Sequence, residues 1–228
     1  MGKLKIGVGF HCGEPSLTDG LGEYYNTLAA NGHALAAKAT DGTAGLYDVQ
    51  ALGGIGIWRK TTFVYTVRIG EEVKYYTIWD VPHYNDDPMR QAQFFMQQYF
   101  DEWPTGLNKR TNYIETPNEA DKNEANFLGE YMVACATLAL ANGHKYCGPA
   151  FAGGEPEPEH WEAPGMLAYL RMCEQHPDDL AVSLHEYTLQ GLDVSLADTR
   201  TFSHGRVTWL NEVCVKHGIK PPAVFLTE

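Results

Sequence analysis

Three short stretches carry residue types from which hydrolytic chemistry can be built: PNEAD at 117–121, LHEYT at 184–188 and FLTE at 225–228. They offer two carboxylates, Glu119 and Glu228, an amide at Asn118, an imidazole at His185 and a phenol at Tyr187. Two carboxyl groups on either side of a sugar suit glycoside hydrolysis, in which one protonates the leaving oxygen while the other attacks the anomeric carbon or activates water. Taken singly, each stretch has a plainer meaning. Asn-Glu ahead of a helix can be a cap with an acid in the first turn, a histidine can close a strand, and a terminal glutamate can be solvated. Their joint weight depends on where the surrounding elements put them.

Those elements alternate along the chain. Hydrophobic pattern and turn residues predict strands at 5–10, 33–39, 62–67, 112–116, 144–151, 180–184 and 223–226. Helices are predicted between them at 21–31, 46–52, 88–102, 123–141, 161–175 and 206–217. Parallel neighbours need a crossover, so this order implies βα units. The turn after the first strand, HCGEPSLTDGLG, contains neither GxGxxG nor GxxxxGK[ST], which disfavours a doubly wound nucleotide-binding sheet. The expected fold is α/β, a (β/α)8 TIM barrel forming one domain over 1–228, with about seven units present and the eighth missing. On that reading the natural protein continues past Glu228. In a barrel the carboxyl ends of the strands share one mouth. Asn118 and Glu119 then follow strand four, and Glu228 follows strand seven across the barrel. His185 and Tyr187 follow strand six, two apart and so on one side of an extended backbone.

This set resembles glycoside hydrolase clan A, the retaining TIM-barrel glycosidases with an Asn-Glu pair after strand four and a glutamate after strand seven. The His185-x-Tyr187 spacing is similar to that of family 5, its cellulase-like branch. The resemblance implies Glu119 as general acid/base, Glu228 as nucleophile and Asn118 as the holder of a sugar 2-hydroxyl, with Tyr187 and His185 orienting Glu228. It departs from the clan pattern at the strand-four motif, where Pro117 precedes the pair and Ala120 follows it in place of Asn-Glu-Pro. The arginine of the clan near strand two has three candidates here, Lys38, Arg59 and Arg68. Repulsion from Glu228 is expected to raise the pKa of Glu119, and hydrogen bonds from Tyr187 and His185 to lower that of Glu228. The two carboxylates cycle without a cofactor.

Other mouth residues have two readings each. His11 and Asp41 bind substrate or make loop contacts. Trp79, with His83 and Tyr84, follows strand three and stacks on sugar rings or covers the barrel top. Trp161 and Trp209 fall in helices and are expected to pack. The acids of GGEPEPE, after strand five, are expected to be solvated.

Composition narrows the partners. The chain has 228 residues, 44% hydrophobic, and a net charge of -12 with its Lys and Arg scattered, so no basic stripe offers itself to nucleic acid or an anionic membrane. No apolar run reaches the roughly 18 residues of a membrane span. The N-terminus holds no signal-peptide core, which favours the cytoplasm, although a secreted chain trimmed of its leader reads the same. Five cysteines without a CxxC suggest reduced, buried thiols, and neither HExxH nor a calcium-type loop occurs, so no metal is expected. A carbohydrate is the expected partner. Two further classes fit the same barrel: a non-catalytic carbohydrate-binding or structural module, and a lyase or aldolase using Lys38 as its inward lysine.

Overall fold

A computed structural model describes residues 5–11, 20–43, 45–187 and 205–228, with the side chains of 5–11 excepted. Its main sheet contains β1 (Lys5–His11), β2 (Ala34–Thr40), β3 (Ile55–Arg59), β6 (Asn112–Glu115), β7 (Lys145–Cys147), β8 (Leu180–Leu184) and β9 (Ala223–Leu226). A separate hairpin pairs β4 (Thr62–Ile69) with β5 (Glu72–Trp79). The helices are α1 (Leu21–Ala30), α2 (Leu46–Ala51), α3 (Pro88–Asp101), α4 (Ala125–Ala141), α5 (Pro158–Trp161), α6 (Pro164–Gln175) and α7 (Val207–Lys216).

The seven strands of the main sheet lie in the order of the chain, and every adjacent pair is parallel. A doubly wound sheet reverses its order at a switch point. This one does not, and the architecture is a TIM barrel with seven of its strands. Its two faces differ. Trp58, Ile114, Tyr146, Leu180 and Val182 join the helices in the larger core, whereas Ile57, Tyr113, Cys147 and Ala181 form a separate cluster inside, with Phe225 against it. Alternation along each strand then turns Lys38, Arg59, Glu115 and Ser183 to the inside as well. The helix layer is tight: a Cβ on Gly129 of α4 would stand 2.0 Å from the Gly165 carbonyl carbon of α6, so the two helices meet through paired glycines.

The third strand departs from the sequence reading. Residues 62–67 are extended, but they pair antiparallel with β5, and the third barrel strand is Ile55–Arg59. Gly54 just before it and Gly56 within it hide it from any propensity argument, since glycine inside a strand counts against one. Gly56 is there for space, because a Cβ would lie 1.8 Å from Asn112 Oδ1. The fifth barrel strand is also shorter than predicted. After Cys147 the ladder is broken at Pro149, which has no N–H to donate, and resumes only as bridges of Ala150 to Asn118 and Phe151 to Leu184.

Candidate active site

Barrel topology brings the ends of β2, β3, β6, β8 and β9 to one mouth, and the charged residues there interlock. Lys38, on β2 and 3% exposed, lies 2.8 Å from Glu228 Oε1 and 2.8 Å from Glu115 Oε2. Arg59, the last residue of β3, sends Nη1 to the same Glu228 oxygen at 3.1 Å and Nε to Asp80 Oδ2 at 2.8 Å. Two cations therefore converge on one oxygen of Glu228. Each has a second, buried carboxylate behind it, and an ion pair of this kind is maintained only where both partners are present. The buried Glu115 carboxyl is raised by loss of water, but Lys38, His185 and Arg59 outweigh that and hold it below the usual range. Burial pushes Asp80 up to about 6 against the pull of Arg59.

Glu119 meets a different set. Tyr187 donates to its Oε1 at 2.5 Å, and His185 Nδ1 lies 3.1 Å from the same oxygen. The other ring nitrogen of His185 is 3.5 Å from Lys38 Nζ and 3.6 Å from Glu228 Oε1. Burial and the Lys38 charge lower the His185 pKa despite three nearby carboxylates, so the ring is neutral. The tautomer that satisfies both ends carries its proton on Nδ1, donates to Glu119 and accepts from Lys38. Glu119 itself has φ of 44°, in the left-handed region that costs a side-chain-bearing residue free energy. Its backbone N–H donates to the Ala150 carbonyl at 2.7 Å, which helps hold that conformation.

Two expectations change here. The bond of Tyr187 is to Glu119, where the family resemblance put it on Glu228. Glu119 also moves the other way from the expected rise: burial raises it, but the bonds from Tyr187 and His185, with the Arg59 charge behind them, hold it below its ordinary value. In this arrangement His185 touches both carboxylates and Tyr187 only the first.

Asn118 lies half-buried beside Glu119, and its side-chain Oδ1 is buried with no hydrogen-bond partner among the described residues. A cavity of about 820 Å³ opens over this edge, lined by Arg59, Asn118, Glu119, Thr77 and the stretch 78–85 that includes Trp79, His83 and Tyr84. Trp79 is thus at the mouth. Asp41 is not part of this set: its carboxylate accepts from the Thr61 N–H and hydroxyl at 2.7 and 2.5 Å, which fixes the loop after β2. His11 closes β1, and its side chain, like Cys12, lies outside the described residues. Arg68 is exposed on the hairpin, which leaves Lys38 and Arg59 as the cations of the site.

Sequence reasoning missed Glu115 and Asp80. Glu115 had a signal in its parity with Tyr113 on an inward face; Asp80, after an aromatic strand, had none. Trp161 packs in the core as expected, edge-on to Phe151 at 5.7 Å. Trp209 is half-buried under Arg206. The acids of GGEPEPE are less solvated than expected, since Glu155 and Glu157 pair with Lys122 at 3.5 and 2.8 Å. Cys135, Cys147, Cys173 and Cys214 are buried free thiols.

Single donor atoms of Glu119, His185 and Glu228 lie within 4.8 Å of one another, a spacing at which such groups can hold a metal ion. The position is already served by fixed cations. Lys38 and Arg59 both contact Glu228 Oε1, so two positive charges already stand where a cation would have to bind, and the donor set suits a resident metal poorly.

The class of fold is therefore an incomplete TIM barrel with a charged mouth. No protein-family model matches the chain, and no curated protein matches it. Among solved structures it is similar to a GH39 β-xylosidase from Caulobacter crescentus, at 14% identity and a TM-score of 0.42 over 96% of this chain and 52% of that one. It is also similar to a sugar phosphate isomerase/epimerase from Parabacteroides distasonis, at 11% identity and a TM-score of 0.40 over 96% of this chain and 85% of that one. The chain spans about half the length of the xylosidase.

Proposed function

We propose that the protein is a glycoside hydrolase that cleaves O-glycosidic bonds of an oligo- or polysaccharide with retention, in the manner of clan A and its family 5 branch. The observation that carries the reading is the pairing of Glu119 and Glu228 about His185, with one oxygen of each inside the 4.8 Å cluster. Retaining enzymes hold their carboxyl groups about 5–5.5 Å apart, whereas inverting ones leave about 6.5–9.5 Å for a water. An approach of single oxygens within 4.8 Å supports the shorter class over the longer one.

The surroundings support a division of labour. Glu228 is met by two cations, so the attacking anion is assigned to Glu228; the proton then falls to Glu119, whose phenol and imidazole donors favour its charged form until a sugar is bound. A Glu228 oxygen forms a bond to the anomeric carbon as the glycosidic C–O bond breaks, and the Glu119 proton passes to the leaving oxygen. Water then attacks the same carbon, giving its proton back to Glu119 and releasing Glu228. A bound sugar covers Glu119 and favours its protonated form by excluding water. The unpartnered Asn118 Oδ1 suits a sugar hydroxyl as donor.

The test is hydrolysis of a panel of aryl glycosides, with the anomer of the first-formed product read by NMR. Glu119→Gln is expected to lower kcat about 10²–10⁴-fold, the usual contribution of general acid catalysis. Inverted product would sink the retaining mechanism. Absence of turnover across the panel, with sugar binding intact, would favour a non-catalytic carbohydrate-binding barrel.

A further inference from the structure

The β4–β5 hairpin carries large side chains into solvent, and one of its faces continues the cavity wall. In its register Thr62 pairs with Trp79, Val64 with Thr77 and Thr66 with Tyr75, so these six share a face. Thr77 and Trp79 line the cavity that holds Glu119, and Trp79 and Tyr75 are each 71% exposed. The two rings are four residue steps apart on the strand, about 13 Å along the chain. The opposite face is spent differently. Phe63 is buried and Ile78 packs against the same core, while Tyr65 and Tyr76 stack on each other at 5.2 Å.

We infer that Trp79, Thr77 and Tyr75, with Thr62 and Thr66 opposite, form a rail for a neutral polysaccharide chain that leads away from the carboxylates. The inference rests on the proposed hydrolase and specifies its substrate as a polymer longer than the cleft itself. Aromatic faces exposed along one row stack on the C–H faces of successive sugars. Threonine hydroxyls between and across from the rings both donate and accept, as sugar hydroxyls require. The protein's net charge of -12 opposes an acidic polysaccharide, which leaves a neutral one. Continuity with the cavity selects a glycan over a protein partner, because whatever lies on Tyr75 and Trp79 runs into the wall beside Glu119 and Asn118.

Affinity electrophoresis in gels containing hydroxyethylcellulose, arabinoxylan or glucomannan tests this, with Glu119→Gln in every variant to stop turnover. The parent is expected to be retarded by at least one of the three. Tyr75→Ala should weaken that binding about tenfold, consistent with the loss of one aromatic stack and its buried area. Tyr65→Ala, on the other face, should leave it unchanged. No retardation of the parent, equal retardation with Tyr75→Ala, or an equal loss with Tyr65→Ala would each overturn the rail. The hydrolase reading is scored separately with the unsubstituted protein. Cleavage of aryl glycosides without retardation by any polymer removes the rail and keeps the hydrolase; retardation that depends on Tyr75 without cleavage of any substrate does the reverse.

Discussion

The floor of the mouth and the β4–β5 hairpin treat their functional side chains in opposite ways. At the floor, Lys38, Glu115, Arg59 and Asp80 are buried, and each is held by a partner of opposite charge within 2.8 Å. On the hairpin, Tyr75 and Trp79 stand in water, and the strands themselves are the main support. The contrast matches what each place is asked to do. A carboxylate that reacts must be fixed in position and charge before substrate arrives, and low local dielectric makes its partners strong but also makes each one costly to lose. A ring that only stacks on sugar needs to be presented, and solvent exposure does that without a network.

The largest expected effect is therefore at the floor. Lys38→Met leaves Glu115 buried without its ammonium and removes one cation from Glu228, and breaking a buried pair costs about 3–5 kcal/mol. Lys38→Met/Glu115→Met replaces both charges by apolar groups and should recover most of that loss in a urea melt. Activity should stay low in both, because Glu228 has lost Lys38 either way. Recovery of activity along with stability would reduce Lys38 to a structural partner of Glu115 and dissolve the distinction drawn for the floor.

Within the hairpin the same contrast should appear between adjacent positions of one face. Phe63 is fully buried, with its ring 4.6 Å from Phe95, so Phe63→Ala opens a cavity and should cost about 3–5 kcal/mol. Tyr65, two residues further out, stacks on the partly exposed Tyr76, and Tyr65→Ala should cost under about 1 kcal/mol. Chemical melts of the two variants check this. Similar losses would mean that the whole hairpin, and not just its root, is integral to the barrel.

What could be read from the sequence follows the same division. The alternation of elements located β8 and β9 at their observed bounds and placed Glu119, His185, Tyr187 and Glu228 after the right strands, because those strands are short apolar runs next to clear turns. The third barrel strand was hidden because its glycines serve packing rather than propensity, and the aromatic strand beside it was the better β sequence. The ion pairs were harder to see. Lys38 and Glu115 are 77 positions apart, and only the register of β2, β3 and β6 brings them together. Periodicity gives the face on which a side chain lies; it does not say which charged residue on a distant strand will meet it.

A smaller effect is expected at Tyr187, which is half-exposed at the seam between the two regions. Its hydroxyl bonds the charged form of Glu119 and so helps keep that carboxyl below its ordinary pKa. In the proposed mechanism the free enzyme needs Glu119 protonated, so kcat/KM should fall as pH rises through the Glu119 pKa. Tyr187→Phe removes a bond to the anion, raises that pKa and should move the falling limb to higher pH, with less change in the maximum than Glu119→Gln produces. The limb should move by less than about one unit, since His185 still faces Glu119. A rising limb that moves to higher pH while the falling limb stays in place would reverse the assignment and make Glu119 the group that must be ionised. That result would bring the nucleophile to the hairpin side of the mouth and leave Glu228, with its two cations, as the fixed charge beside it.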